Sequence, residues 1–328
     1  MKWNKSTLGL LALSASVSLA LTGCSGGAES AAVGSSDDAY ELAFIQGVAG
    51  DEFYISMQCG IEAAAGAAGA TVTTQGPVEF DPTLQKPIVD SIVAARPDAI
   101  LIAPTDVSAM QAPLQAAADA GIKVVLVDTT LEDPSLAVSQ ISSDNRGGGA
   151  AAFEAIKAAH PEGGKVLVVS HDPGISTSDA RGEGFQEAVA ADSDFESLGI
   201  QYGRNEPARA AQIVTAALQK DPEIVGIFAV NLFAAEGTAT GVQQAGKTGE
   251  LTIVGFDAGP AQIEQLKAGT VQALVAQEPA TIGEQGVAQA IAALNGDEVE
   301  AEIQTGFTII TEANVEAEGD AAAYQSSC

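Results

Sequence analysis

The stretch AILIAPTDVSAMQAPLQAAADAGIKVVLVD, residues 99–128, decides the fold of this chain. Its two ends, AILIA and KVVLV, are continuous apolar runs of strand length, and the segment between them is Ala-rich and long enough for a helix. Continuous apolar runs are typical of strands that are buried on both faces of a parallel sheet. The stretch therefore predicts a strand–helix–strand unit with a right-handed crossover.

The same alternation runs along the chain from residue 41 to residue 295, which predicts the α/β class with parallel sheets. Ten strands are too many for one small sheet, and the turn-rich segment SSDNRGGG, residues 142–149, interrupts the pattern near the middle. We therefore expect two successive doubly wound lobes. The predicted strands span residues 41–46, 71–75, 99–103, 123–128, 138–142, 165–170, 197–202, 224–230, 251–256 and 271–276.

The first residues of the chain predict a secretion signal. Lys2 and Lys5 precede an apolar run, residues 8–21, that is shorter than the ~20 residues of a transmembrane helix and is typical of a signal peptide. Leu21-Thr22-Gly23-Cys24 resembles the lipobox of bacterial lipoproteins. We predict a lipoprotein signal peptide (1–23), a diacylglycerol on Cys24, a flexible Gly/Ser/Ala-rich tether (24–39), and an extracytoplasmic location at the cell membrane.

The charge of the chain excludes one class of partner. The formal net charge is −29, from 14 Lys and Arg against 43 Asp and Glu, so there is no basic surface for nucleic acid. Such acidity also repels anionic lipids, and membrane attachment would have to come from the lipid on Cys24. The sequence lacks nucleotide-binding glycine motifs and Cys or His clusters, so we expect neither a cofactor nor a metal.

The cysteines and histidines carry two smaller predictions. Lipidation of Cys24 leaves Cys59 and Cys328, and an even number of cysteines in an oxidising compartment predicts a disulfide that pins the C-terminal tail to the first domain. The alternative is two free thiols. His171 precedes Asp172 at the end of a predicted strand, but no Gly-x-Ser-x-Gly elbow accompanies them, so we interpret both as loop residues and the protein as no enzyme.

Polar residues follow most of the predicted strands. Ligands of open α/β sheets bind beyond the carboxyl ends of the strands, which makes these residues candidates for a binding site. They are Gln46 to Asp51, Pro104 to Asp106, Asp128, Ser170 to Asp172, Asn231, Asp257 and Gln277.

Five stretches, in order along the chain, resemble the ribose/galactose branch of the type I periplasmic binding proteins. They are ILIAPTDVSAM (100–110), KVVLVDTT (123–130), ISSDN (141–145), DARGEGFQEAV (179–189) and VGFDAGP (254–260). The resemblance implies two Rossmann-like lobes joined by three hinge crossings, with a sugar held in the cleft. We assign residues 40–143 and 277–303 to the N-terminal lobe, 144–276 and 304–315 to the C-terminal lobe, and 316–328 to a tail.

The resemblance also implies a function. The chain would be a monomeric solute-binding protein that captures a small sugar or polyol and delivers it to the permease and ATPase of an ABC importer. The alternative is a lipoprotein that senses a sugar-like signal and presents it to a membrane receptor.

The resemblance further implies which residues bind the ligand. Phe53 and Tyr54 look like the aromatic pair that stacks on a sugar ring, and Asp128 and Arg181 look like the carboxylate and guanidinium that bind its oxygens. Sugar hydroxyls donate and accept together, so planar side chains with paired polar atoms bind them in bidentate fashion. The expected set is Asp51, Phe53, Tyr54, Asp128, Thr129, Arg181, Asn205, Asn231, Asp257 and Gln277.

Three positions depart from the pattern of ribose binders. Asp51 stands where they have asparagine, Thr129 where they have arginine, and Asn205 where they have an aromatic residue. These differences argue against ribose and favour a neutral polyol or another pentose over an acidic sugar, although Asp51 would also suit a cationic group. Helix capping is the alternative role for Asp128 and Asp257.

Overall fold

The computed structural model describes residues 39–328, and within them the chain forms twelve strands in two six-stranded sheets. The strands are β1 (Glu41–Ile45), β2 (Thr71–Gln75), β3 (Ala99–Ile102), β4 (Lys123–Val127), β5 (Ser139–Ser143), β6 (Gly164–Ser170), β7 (Phe195–Tyr202), β8 (Ile224–Ala229), β9 (Thr252–Phe256), β10 (Ala273–Gln277), β11 (Glu302–Thr305) and β12 (Phe307–Thr311).

The two sheets have the same winding. The first sheet has the order β11-β5-β4-β3-β1-β2 and is parallel throughout. The second has the order β12-β10-β9-β8-β6-β7, and only its edge strand β12 is antiparallel to its neighbour. The predicted α/β class with two doubly wound, parallel-sheet lobes is therefore confirmed.

Nine helices in this part of the chain connect the strands. They are α1 (Glu52–Ala67), α2 (Pro82–Ala95), α3 (Gln111–Asp119), α4 (Asn145–Ala159), α5 (Ser176–Ala190), α6 (Pro207–Lys220), α7 (Leu232–Gln244), α8 (Pro260–Lys267) and α9 (Pro279–Asn295). A single 3₁₀ turn covers Pro134–Leu136, and the tail forms a π-helical turn, Val315–Gly319, followed by a helical turn, Asp320–Ala322. None of the helices between residues 39 and 328 is long and apolar enough to cross a bilayer.

Alternation along each strand explains why both faces of a sheet are covered. In β1, Leu42 and Phe44 belong to one buried cluster, whereas Ala43 and Ile45 belong to another on the opposite face. Successive side chains of a strand point to opposite faces, so an uninterrupted apolar run requires helices on both. The sequence runs AILIA and KVVLV meet that requirement in β3 and β4.

The chain passes between the lobes at three points, which lie at residue 144, residue 278 and residue 306. The second and third crossings fall one and two residues beyond the predicted boundaries at 277 and 304, because Gln277 still belongs to β10 and β11 continues to Thr305. Sequence analysis did not predict β11 and β12. Both are short edge strands whose polar residues do not form the apolar runs that marked the other ten.

The tail is anchored at its end. Cys328 is joined by a disulfide to Cys59 of α1. The predicted signal peptide, the lipid-bearing Cys24 and the tether up to residue 38 lie outside the described residues.

Candidate functional site

A cavity lies between the two lobes, at the carboxyl ends of their strands. Nine of the ten residues predicted to bind a ligand line it, and they come from both lobes. These nine are Asp51, Phe53, Tyr54, Asp128, Arg181, Asn205, Asn231, Asp257 and Gln277.

The first-lobe wall is the start of α1 and the end of β4. Asp51 caps the helix, because its carboxylate accepts a hydrogen bond of 2.8 Å from the N–H of Phe53. Tyr54 donates its hydroxyl to Asp128 Oδ2 at 2.7 Å, and its ring packs edge to face on Phe53 with centroids 5.1 Å apart. The start of α1, the rings of Phe53 and Tyr54 and the carboxylate of Asp128 are thus held in one network of contacts.

Asp128 and Asp257 both have a backbone conformation that is rare for residues other than glycine. Asp128 follows β4 with φ 64°, and Asp257 follows β9 with φ 79°. Non-glycine residues rarely adopt this left-handed region, and where they do the surrounding structure holds them there, often at functional sites. Here the N–H groups of Asp128 and Asp257 donate to Ile141 and Val275 of the neighbouring strands, at 2.8 and 2.9 Å.

Arg181 supplies the guanidinium of the second lobe. Its Nε donates to Asn145 Oδ1 at 2.8 Å, and one Nη donates to the carbonyl of Val230 at 2.9 Å. The guanidinium carbon lies 3.7 Å from the centroid of the Phe256 ring, which supports the plane from one side. These two hydrogen bonds use two of the five N–H donors of Arg181. The other three N–H groups could donate to a ligand in the cavity.

Amide side chains complete the second-lobe wall. Asn231 caps α7 by accepting from the N–H of Ala234 at 3.0 Å, and it donates to Asn205 Oδ1 at 2.7 Å. Gln277 donates to Asp257 Oδ1 at 2.6 Å and accepts from the hydroxyl of Ser143 at 2.8 Å. Both ends of the Asn231 and Gln277 amides are therefore held by hydrogen bonds within the protein.

Burial changes the charge of the cavity. Burial, together with the charge of Asp257, raises the pKa of Asp51 from 3.8 to about 8. Burial also raises the pKa of Asp128 to about 6, although the guanidinium of Arg181 opposes that rise. At neutral pH Asp51 is therefore mostly protonated and can donate a hydrogen bond, whereas Asp128 is mostly ionised and accepts.

His171 also lines the cavity, and sequence analysis interpreted it as a loop residue. The side chain is 5% exposed, and neither ring nitrogen has a hydrogen-bond partner among the described residues. Asp172 Oδ2 lies 3.4 Å from His171 Nδ1 without hydrogen-bond geometry. Burial lowers the pKa of His171 to about 4, so the ring is neutral and offers one donor and one acceptor to a guest.

Val48, which lies in the candidate stretch Gln46 to Asp51, also lines the cavity, and four residues that were not predicted complete the lining: Phe80, Ile175, Thr177 and Ser178. Ser170 to Asp172 were among the polar residues at strand ends, so that signal did reach His171. Phe80 lies in the loop after β2, where no motif marked it.

Thr129 differs from the expected site residues. It does not line this cavity, because its hydroxyl turns away and donates to the carbonyl of Pro104 at 2.7 Å. It lines a neighbouring groove with Ser142 and Gln304. β4 ends at Val127 and the backbone of Asp128 is left-handed, with φ 64°, so the chain turns there and the Thr129 side chain faces Pro104 rather than the cleft.

Contacts across the cleft keep the two lobes closed in this structure. The N–H of Val107 donates to the carbonyl of Gly174 at 3.2 Å, and the N–H of Thr130 donates to Ser176 Oγ at 3.0 Å. In each pair the donor belongs to the first lobe and the acceptor to the second. A guest in the cavity would therefore touch both lobes at once.

Comparison with known proteins agrees with this architecture. A family model described as a periplasmic binding protein domain matches residues 42–298, which is most of the chain. The chain belongs to the periplasmic binding protein family. Its two parallel-sheet lobes and their three crossings are the type I form of that family.

Similar proteins have been named and solved. The ribose import binding protein RbsB of Salmonella typhimurium is 30% identical over 269 residues, covering 82% of this periplasmic binding protein and 90% of RbsB. An ABC transporter solute-binding protein from Agrobacterium vitis, solved with α-D-tagatopyranose, is 40% identical with a TM-score of 0.85, covering 87% of this chain and 99% of that one. A second Agrobacterium vitis protein, solved with D-fucose, is 31% identical with a TM-score of 0.82, covering 87% and 100%.

Proposed function

We propose that this protein captures a neutral monosaccharide or polyol between its lobes and delivers it to the permease of an ABC importer. The observation that carries this function is the cavity between the lobes, which is lined by carboxylate, amide, guanidinium and aromatic side chains from both of them. Polar groups of this kind satisfy adjacent hydroxyls in pairs, and aromatic faces cover the C–H surface of a sugar.

The charge of the cavity favours a neutral guest. At neutral pH, protonation of Asp51 leaves Asp128 and Asp257 beside the guanidinium of Arg181. An acidic sugar would have to enter beside these carboxylates with one guanidinium to receive it. A neutral guest meets no such repulsion and finds both donors and acceptors.

The names of similar proteins indicate which class of ligand to expect. Proteins at 30 to 40% identity are named for ribose import or were solved with tagatose or fucose, which are all neutral monosaccharides. Asp51, Thr129 and Asn205 depart from the ribose pattern. We therefore favour a hexose or a pentose other than ribose.

We further propose that a diacylglycerol on Cys24 holds the protein at the outer face of the cell membrane. The lipobox-like Leu21-Thr22-Gly23-Cys24 after an apolar run supports this attachment. Expression of the Cys24→Ala variant should move the protein from the detergent phase of a Triton X-114 extraction to the aqueous phase. Equal partitioning of wild type and variant would contradict lipid attachment.

A thermal-shift screen of pentoses, hexoses and polyols tests sugar binding, because a guest that binds only the native state raises the melting temperature. Calorimetry with the best sugar then tests the site. Arg181→Ala and Asp257→Ala should each weaken binding by about 30-fold or more, since a lost charged partner costs about 2 kcal/mol. Arg146→Ala, which removes a half-exposed surface arginine, is the control. Affinities of both site variants within twofold of wild type would overturn the assignment.

Transport needs a test in cells. Deletion of the gene should abolish uptake of the radiolabelled sugar at low concentration, and a plasmid copy should restore it. Undiminished uptake in the deletion strain, combined with tight binding by the purified protein, would favour the sensing alternative.

A further inference from the structure

The C-terminal tail, residues 316–328, runs from one lobe to the other behind the cavity. It starts on the second lobe after β12, and the N–H of Tyr324 donates to the carbonyl of Ala258 there at 2.9 Å. One residue later the N–H of Gln325 donates to Ser56 Oγ of the first lobe at 2.7 Å. The disulfide between Cys328 and Cys59 then fixes the end of the chain to α1. The tail is thus a covalent connection in addition to the three peptide crossings.

Tyr324 stands between these anchors with its side chain directed at the sugar site. It is 4% exposed, and its ring packs against Phe53 with centroids 5.8 Å apart. Its hydroxyl accepts from the N–H of Gln277 at 3.1 Å and donates to Asp257 Oδ1 at 3.2 Å. One buried side chain of the tail therefore contacts three cavity residues.

The contact with Asp257 orients that carboxylate. Besides the bond from Tyr324, Asp257 accepts from the N–H of Leu232 at 2.9 Å and from the amide of Gln277 at 2.6 Å. Its backbone is left-handed, with φ 79°, and such a residue keeps its conformation only where several contacts hold it. Burial and the charge of Asp257 raise the pKa of Tyr324 well above its usual range, so the phenol stays a donor at every physiological pH.

We propose that Tyr324 is a positioning residue of the sugar site, and that the Cys59–Cys328 disulfide makes the tail a fourth hinge connection that favours the closed cleft. Phe53 belongs to the first lobe, whereas Asp257 and Gln277 belong to the second. Tyr324 meets all three only when the lobes keep their closed orientation. Opening separates α1 from β9, and a tail tied to both opposes that movement. The sugar itself rests on the proposed function, but the hinge role does not.

Lobe opening without sugar tests the hinge role. Dyes attached through azidophenylalanine at Gln115 of α3 and Gln219 of α6, exposed positions in opposite lobes, report the interlobe distance by single-molecule energy transfer. We expect the closed fraction of ligand-free protein to fall at least threefold in the Cys59→Ser/Cys328→Ser double variant. Dithiothreitol should reproduce this change in the wild type and leave the double variant unaffected, and the reduced wild type also serves if the double variant does not fold.

Sugar affinity tests the positioning role. Tyr324→Phe keeps the ring and the disulfide but removes both hydroxyl contacts, so we expect affinity for D-tagatose, or for the sugar with the largest thermal shift, to fall about tenfold. Tyr40→Phe is the matched control, because the hydroxyl of Tyr40 donates to Asn295 away from the cleft. The melting temperature of the disulfide-bonded Tyr324→Phe variant should stay close to that of the wild type.

The outcomes separate the two proposals. If the wild type binds no sugar, the proposed function is wrong, and the energy-transfer experiment still decides the hinge role. If the wild type binds a sugar, and Tyr324→Phe binds it equally well, Tyr324 has no positioning role. An unchanged closed fraction after disulfide removal overturns the fourth hinge connection.

Discussion

Phe80 and His171 face each other across the cleft, with ring centroids 5.3 Å apart and planes inclined by 62°. Phe80 comes from the loop after β2 in the first lobe, and His171 follows β6 in the second. Both line the cavity, so this edge-to-face contact joins the two lobes at the edge of the cavity. Neither ring nitrogen of His171 has a hydrogen-bond partner among the residues from 39 onward.

The unpaired nitrogens of His171 lead to the first prediction. His171→Phe should raise the melting temperature of the ligand-free protein, because a buried polar group without a partner costs about 1–3 kcal/mol. The same change should weaken sugar binding by about tenfold or more, since the guest loses its imidazole partner. Thermal unfolding and calorimetry measure the two effects.

His160→Phe is the control for this variant, because His160 contacts Thr252 away from the cavity. It should leave sugar affinity unchanged. If His171→Phe also retains full affinity, His171 serves only in packing.

The raised pKa of Asp51 predicts a pH-dependent stability. The native state keeps a proton on Asp51 up to about pH 8, whereas an ordinary aspartate loses it near 3.8. The native state therefore binds more protons than the unfolded chain between these values, and the free energy of unfolding falls as the pH rises. Asp51→Asn keeps the helix cap and should reduce that fall between pH 5 and pH 8 by at least about 1 kcal/mol.

Urea unfolding of the ligand-free protein across this range gives the measurement, and exposed Asp297→Asn provides the reference. A pH dependence that is identical in Asp51→Asn and wild type would show that Asp51 titrates normally.

Gly149 of α4 lies at a close contact with α5. A Cβ at this position would lie 2.0 Å from the carbonyl oxygen of Arg181, so an added methyl must push the helices apart. Gly149→Ala should lower the free energy of unfolding by about 1–3 kcal/mol and also weaken sugar binding, because α5 carries Arg181. Gly66→Ala in α1 meets nothing within 4 Å and should stabilise the protein by up to about 1 kcal/mol. Equal effects of the two substitutions in urea unfolding would refute the close contact.

The hydrogen bond from the N–H of Thr130 to Ser176 Oγ joins the two lobes, and we expect its loss to change the rate of sugar release. Ser176→Ala removes one of the contacts across the cleft and should raise the dissociation rate about fivefold. The association rate should change little, because most differences between related complexes lie in dissociation. Stopped-flow fluorescence measures both rates, with Ser91→Ala on the exposed face of α2 as control. A dissociation rate equal to that of the control would mean that this bond does not hold the cleft closed.

The sequence by itself determined the class of the fold and ten of the strands in residues 39–328, because an apolar run bounded by polar residues records local burial. It also placed polar residues at strand ends, and Asp128, Asn231, Asp257 and Gln277 come together in the structure for that reason. Periodicity carries no comparable signal for β11 and β12, whose place at a sheet edge depends on neighbours that are distant along the chain.

Only the tertiary structure decided how the two lobes meet. Phe80 and His171 lie 91 positions apart in the numbering, and Tyr324 reaches Phe53 from the opposite end of the chain. No local pattern marks such pairs, because they depend on the relative orientation of two separately folded sheets. The direction of a side chain at a strand end is likewise set by the backbone around it, which turns Asp128 into the cavity and Thr129 away from it.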